Sequence, residues 1–206
     1  MSVLERHWPT RLASHTGLRD RLVAAYSAPH RGYHDLRHLS DVLDNVGMLL
    51  ARPEAEGVDS DAVVLAAWFH DAVYDGQRDD EERSAVLAEG SLAAVGLPAQ
   101  LVTEVARLVR LTQEHRPEPD DRAGHVLCDA DLAILAASRT RYDEYVRDVR
   151  HEYADLDEAT FRAGRARVLR AFMAEPRLFH TSFGQEVWED AARANLEREL
   201  RALSGP

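Results

Sequence analysis

The residues best equipped for chemistry stand at the end of an apolar run, Leu65-Ala66-Ala67-Trp68-Phe69-His70-Asp71-Ala72-Val73-Tyr74-Asp75, where a histidine and an aspartate are adjacent. A run this apolar belongs in a core. Burying an imidazole and a carboxylate at its end costs several kcal/mol unless something pairs with them. A divalent metal ion is one compensation, because it takes a neutral imidazole nitrogen and an ionised oxygen. A hydrogen bond between the two neighbours is the other, and this stretch alone leaves both open. Two further stretches bear on the choice: Gly32-Tyr33-His34-Asp35-Leu36-Arg37-His38 and Cys128-Asp129-Ala130-Asp131-Leu132.

His34 and His38 are four apart, so they share a face if a helix begins by Tyr33. One can bind metal while the other, a turn away, donates a proton to a group held there. His70 and Asp71 lie about 100° apart on a helical wheel, and both can reach one ion near a helix end. Asp129 and Asp131 compete for the fourth position. Asp129 has another explanation, as the N-cap of a helix beginning near Ala130. Leu132, Ile134 and Leu135 place Asp131 beside a buried stripe, which favours Asp131 as ligand and leaves Asp129 as cap or support. Two histidines and two carboxylates suit Mn, Fe, Co, Ni or Zn better than the all-oxygen sites of Mg or Ca. Mg stays among the candidates, as do one ion or two. Such an ion polarises a phosphoryl oxygen and lowers the pKa of bound water toward neutrality.

The elements that must position these groups are helical, because a period of 3.6 dominates and strand-like alternation is nearly absent. One or two helices are expected over about 9–28, with Leu12, Leu18, Leu22 and Tyr26 as the apolar stripe. Further helices are expected at about 35–51, 61–72, 98–113, 126–137, 140–154, 158–174 and 185–203, with one more running from the acidic turn at 75–82 to about Val95. Proline and glycine punctuate the joints: Pro29, Gly32, Pro53, Gly57, Gly96, Pro117, Pro119, Pro176 and Gly184. With no internal repeat and no long linker, the expectation is an all-α, single-domain helical bundle over residues 1–206.

The formal charge of −11 argues against a nucleic-acid groove. It leaves room for a small anionic substrate, because a bound cation reverses the local field. Every basic residue is arginine. The absence of lysine removes Schiff-base chemistry and a Walker-type phosphate lysine. A single cysteine, Cys128, excludes an internal disulfide framework and a thiolate zinc cluster. The start shows no basic and apolar leader, and no apolar run approaches membrane-spanning length. The expected setting is cytoplasmic, with homo-oligomers possible and no membrane partner.

His38, then His70-Asp71, then Asp131 match in order and character the H…HD…D pattern, and by it the chain resembles the HD superfamily of metal-dependent phosphohydrolases. Tyr33-His34-Asp35-Leu36-Arg37-His38 followed by Asp41-Val42 is similar to the YHNxxHxxDV stretch of cyclic-nucleotide phosphodiesterases, and Ala130-Asp131-Leu132 to their ADL stretch. Over most of its length the chain looks closer to a group of small bacterial predicted HD-superfamily phosphohydrolases. The matching pieces are Ala66 to Asp75, Glu81-Glu82-Arg83-Ser84-Ala85, Asp129 to Leu135, and Arg150-His151-Glu152-Tyr153. The resemblance implies an HD-type helical domain, His38, His70, Asp71 and Asp131 as metal ligands, and His34 as general acid. Position 35 is Asp where the phosphodiesterases have Asn, and their purine-clamping glutamine has no counterpart, so cyclic-nucleotide specificity is not carried over.

Other residues bear on the pocket. His115 stands near a helix C-terminus, where it either meets the dipole or lines the site. Glu81 and Glu82 either anchor metal-bound water or are solvated first-turn carboxylates. Arg37 and Arg150 are candidates to clamp a phosphate. The remaining histidines show no ligand spacing. The function expected is hydrolysis of a phosphate mono- or diester, of a nucleotide or related small molecule: metal-bound hydroxide attacks phosphorus, Asp71 or Asp131 helps orient the water, and His34 protonates the departing oxygen. The alternative is a metal-containing regulatory domain without turnover. A paired-iron oxygenase is the third possibility, with His115 and the Glu81-Glu82 turn as the source of further ligands.

Overall fold

A computed structural model describes residues 3–204, and among these there is no strand. Ten α-helices are joined by turns and short 3₁₀ or π segments: α1 (Val3–Arg6), α2 (Thr16–Tyr26), α3 (Leu36–Leu50), α4 (Ser60–Phe69), α5 (Asp80–Ala94), α6 (Ala99–Leu111), α7 (Arg122–Leu132), α8 (Arg139–Glu152), α9 (Glu158–Ala174) and α10 (Glu189–Ser204). The chain is all-helical, as its periodicity predicts. No helix among the described residues is long and apolar enough to cross a membrane.

The centre is α4, which packs against α3, α5, α6 and α7. Its sequence explains the placement. Asp59 caps it by accepting from the backbone N–H groups of Asp61 and Ala62. The residues that follow are apolar on every side, so the helix is stable only when surrounded. Val63, Leu65, Trp68 and Phe69 are fully buried. At about 1.5–3 kcal/mol per large side chain their burial gives on the order of 10 kcal/mol. That is enough to carry a polar pair into the interior at the end of the helix.

Two apolar clusters build the core. One gathers the faces of α2 to α7, including Leu39, Val42, Leu43 and Val46 of α3 and the edge-to-face pair Trp8–Trp68, whose centroids are 5.0 Å apart. The other gathers Tyr33, Leu132, Leu135, the α8 stripe Tyr142, Tyr145 and Val149, and parts of α9 and α10. Ala130 belongs to the first cluster and Leu132 to the second. Asp131 therefore sits at their seam.

Two expected boundaries shift, at α4 and α7, and the helix that His34 and His38 would share does not reach back to Tyr33. α4 stops at Phe69 rather than near 72, with His70 as its C-cap. α3 begins at Leu36, so His34 lies outside the helix, before the cap Asp35. α7 begins at Arg122, capped by Asp121. Asp129 is thus not an N-cap: it lies inside α7, and the polar Asp121-Arg122 start is the signal that the apolar stripe hides.

Candidate metal centre

Three segments deliver four side chains to one point. Asp35 accepts from the backbone N–H groups of Arg37 and His38, which starts α3 and turns the His38 ring inward. His70, the C-cap of α4, keeps helical dihedrals at φ −55° and ψ −41°, and Asp71 next to it brings Oδ2 to within 3.1 Å of the His70 ring nitrogen. Asp131 arrives on α7.

The His38 and His70 Nε2 atoms are 3.0 Å apart. Asp71 Oδ2 lies 3.3 Å from the first and 3.1 Å from the second. Asp131 Oδ1 lies 3.2 Å and 3.6 Å from the same two nitrogens. Metal–ligand bonds of about 2.1 Å give donor–donor edges of roughly 3.0 Å in an octahedron and 3.4 Å in a tetrahedron. The donor set fits a cation: His38, His70 and Asp71 form a group that could hold a metal ion. Asp131, touching both imidazoles, is placed to join them. His70 Nδ1 donates to the Ala67 carbonyl at 2.8 Å, which fixes the ring and leaves Nε2 to face the other donors.

The electrostatics point the same way. Burial alone would strip the proton from His70, yet the charge of Asp71, with Tyr26 and Asp131 behind it, raises its pKa well above the ordinary value. Burial likewise opposes charge on His38, but hydrogen bonds to Asp131 and Asp71 raise its pKa. Asp71 and Asp131 are desolvated too, and the neighbouring histidines outweigh this and hold both well below the usual carboxylate range. Without a cation the cluster holds protons on its imidazoles; a cation displaces them. Metal affinity is therefore expected to rise with pH through the neutral range, with protons released on binding. Calorimetry in buffers of different ionisation enthalpy measures the release, and a pH-independent affinity contradicts it.

Around these four sits a second ring of contacts. His34 Nδ1–H donates to Glu152 Oε2 at 2.8 Å, and the ring stacks on Tyr74 at 4.1 Å and lies 5.5 Å from the His38 ring. Glu152 also accepts from the backbone N–H groups of Gly32, Tyr33 and His34 at 2.8–3.0 Å and from the Tyr74 hydroxyl. This close approach requires glycine at position 32, where a Cβ would stand 2.3 Å from the Asp148 carbonyl. The buried Arg31 guanidinium donates to the carbonyls of His34, Asp71 and Ala72, strapping the two ligand-bearing segments together. His115, with a positive φ of 53°, brings Nε2 to within 2.8 Å of Asp131 Oδ2.

The remaining candidates go elsewhere. Asp129 and Asp131, two residues apart on a helix, point in opposite directions. Asp129 is fully buried and accepts from His180 N, Thr181 N and the Thr181 hydroxyl. Burial raises its pKa to about 6 against those hydrogen bonds. It is a support rather than a ligand: it anchors the 180–181 turn, whose His180 ring reaches the His115 carbonyl. Glu82 is exposed and paired with Arg110, so it does not face the site. Glu81, one step round α5, is half-buried, its pKa raised by burial and by the nearby charge of Asp71. Arg37 is exposed and pairs with Glu144. Arg150 closes the end of α8, donating to the carbonyls of Tyr153 and Leu156 over the Phe161 ring. Neither arginine is brought to the cluster.

Sequence reasoning missed Arg31, Tyr74 and the role of Glu152. Glu152 lies in a matching piece of the resemblance, Arg150 to Tyr153, but nothing in its spacing announces a partner 118 residues away. Comparison of the chain with family models, with curated proteins and with solved structures finds no match.

Proposed function

We propose that the protein is a metal-dependent phosphohydrolase of the HD type, cleaving a phosphate mono- or diester of a small molecule. His38, His70, Asp71 and Asp131 would hold the ion, which when bound supplies Lewis acidity toward a phosphoryl oxygen and toward water. The observation that carries this is His34. Its Nδ1 is engaged by Glu152, leaving Nε2 for the cavity that His34 lines together with Asp131 and His115. A purely structural metal site has no use for such a group beside it. With the ester seated between the cluster and His34, Nε2–H protonates the departing oxygen, and Glu152 fixes the ring. Asp71 or Asp131 orients the water that adds to phosphorus. His115 and Glu81 are the groups available to a second ion or to a water beside the first.

A phosphate-release screen over small phosphoesters with Mn, Co, Ni, Zn, Fe or Mg tests this. Turnover is expected with at least one ion and none after exhaustive chelation, with recovery on adding the ion back. Full activity in the chelated protein sinks the mechanism. Ligand-dependent thermal stabilisation without phosphate release in any ion moves the chain to the regulatory alternative.

A further inference from the structure

A cavity of about 450 Å³ opens from the site into the second core. His34, His115 and Asp131 form one side of it. Leu135, Tyr145, Val149, Phe161 and Phe172 form much of the rest. At its mouth Leu156 and Val168 are 40% and 43% exposed, large apolar side chains held in water where the cavity meets solvent.

We propose that this cavity receives the alcohol portion of the substrate, and that the alcohol is apolar: an aliphatic or aromatic phosphate monoester rather than a nucleotide. This rests on the hydrolase reading above. Arg165 and Thr160 on the wall are already committed to other side chains. Arg165 gives Nε and Nη2 to Glu199 at 2.7 and 3.1 Å. The Thr160 hydroxyl donates to Asp157 at 2.6 Å. Arg167 stands exposed at the mouth. A nucleobase entering here would exchange water for few partners, an unfavourable trade for each polar edge atom. An apolar body loses nothing of this kind and gains from every methylene buried, about fourfold in affinity each. In the reaction, water adds to phosphorus, the bond from phosphorus to the alcohol oxygen breaks, and His34 gives that oxygen its proton. The proton lost by the water balances it, and the products are the alcohol and inorganic phosphate.

Gly164 of α9 supplies the handle. It lines the cavity, and a Cβ built on it meets nothing within 4 Å, so a larger side chain enters the void without displacing backbone. The experiment compares ethyl, butyl, hexyl and octyl phosphate, phenyl phosphate and adenosine 5′-monophosphate on the Mn-loaded full chain, in wild type, G164A and G164F. The expected result is a kcat/KM that climbs at least about tenfold from ethyl to octyl phosphate and exceeds that for the nucleotide. G164F is expected to raise KM for octyl phosphate at least about tenfold more than for ethyl phosphate, with G164A in between. A flat series, a preference for the nucleotide, or equal loss on all esters overturns the proposal. Should no ester be cleaved in any metal, the hydrolase reading fails by itself. The cavity is then judged by thermal shift: octyl phosphate stabilising wild type but not G164F supports an apolar occupant, and no chain-length dependence overturns it.

Discussion

Replacing His70 by alanine, or Asp71 by alanine, is expected to remove the bound ion and the activity together. His70 Nε2 stands within 3.6 Å of His38 and both carboxylates, so it touches every other donor of the cluster. Removing it takes away the largest of the charges that hold Asp71 and Asp131 low. Loss of a partner that only orients a ligand costs roughly 10–100-fold in metal affinity, and loss of a ligand costs more. The variants should bind less than one part in ten of the wild-type metal at equal free ion, measured by elemental analysis after gel filtration. Phosphate release should fall to background. His70 is buried at the C-terminal end of α4, so circular dichroism must accompany the measurement; a folded variant that keeps its metal contradicts the assignment of this residue.

The second large effect separates metal from proton transfer. His34→Ala is expected to keep the ion and lower kcat by about 10²- to 10⁴-fold, the usual range for a lost general acid, with KM changed little. E152Q should follow it part of the way. Burial alone would raise the Glu152 pKa, but the His34 hydrogen bond and charge and the backbone N–H groups of His34 and Tyr33 bring it down to about 2. A glutamine presents an NH₂ group where the carboxylate now meets Nδ1, and so forces the wrong tautomer on the ring. The same substitution carries a stability signature. A carboxyl lowered from its ordinary 4.5 to about 2 stabilises the fold by about 3 kcal/mol above pH 4.5, and that contribution disappears as pH falls toward 2. Denaturation midpoints of wild type and E152Q should therefore converge as the pH drops from 5 toward 2. Parallel curves, or an unchanged pH–rate profile in E152Q, count against the Glu152–His34 pair.

The helical architecture was open to reading because its signals are local. The α3 stripe of Leu39, Val42, Leu43, Val46 and Leu49 repeats at the helical period, and those residues are the buried ones. The apolar run before His70 had to be interior, and α4 is. His70, Asp71 and Asp131 stood out because carboxylates and imidazoles at the edges of apolar segments need a partner, whereas the choice of His38 over His34 as ligand came from the resemblance to the H…HD…D pattern. What stayed hidden depends on the ends of helices and on tertiary distance. An apolar stripe runs through Asp129 without marking that α7 had begun seven residues earlier, so its burial against Thr181 had no local sign. Glu81 and Glu82 differ only in the rotation of α5, which is set by packing on α6. Arg31 serves by reaching backbone carbonyls 40 and 41 residues away, contacts that leave no trace in residue type.

Anomalous diffraction from crystals of the wild-type protein grown with Mn²⁺ tests the central claim most directly. A peak about 2.0–2.3 Å from His38 Nε2, His70 Nε2, an Asp71 oxygen and an Asp131 oxygen is the result expected. A saturated crystal with no peak between those four side chains, or with the ion bound elsewhere, contradicts it.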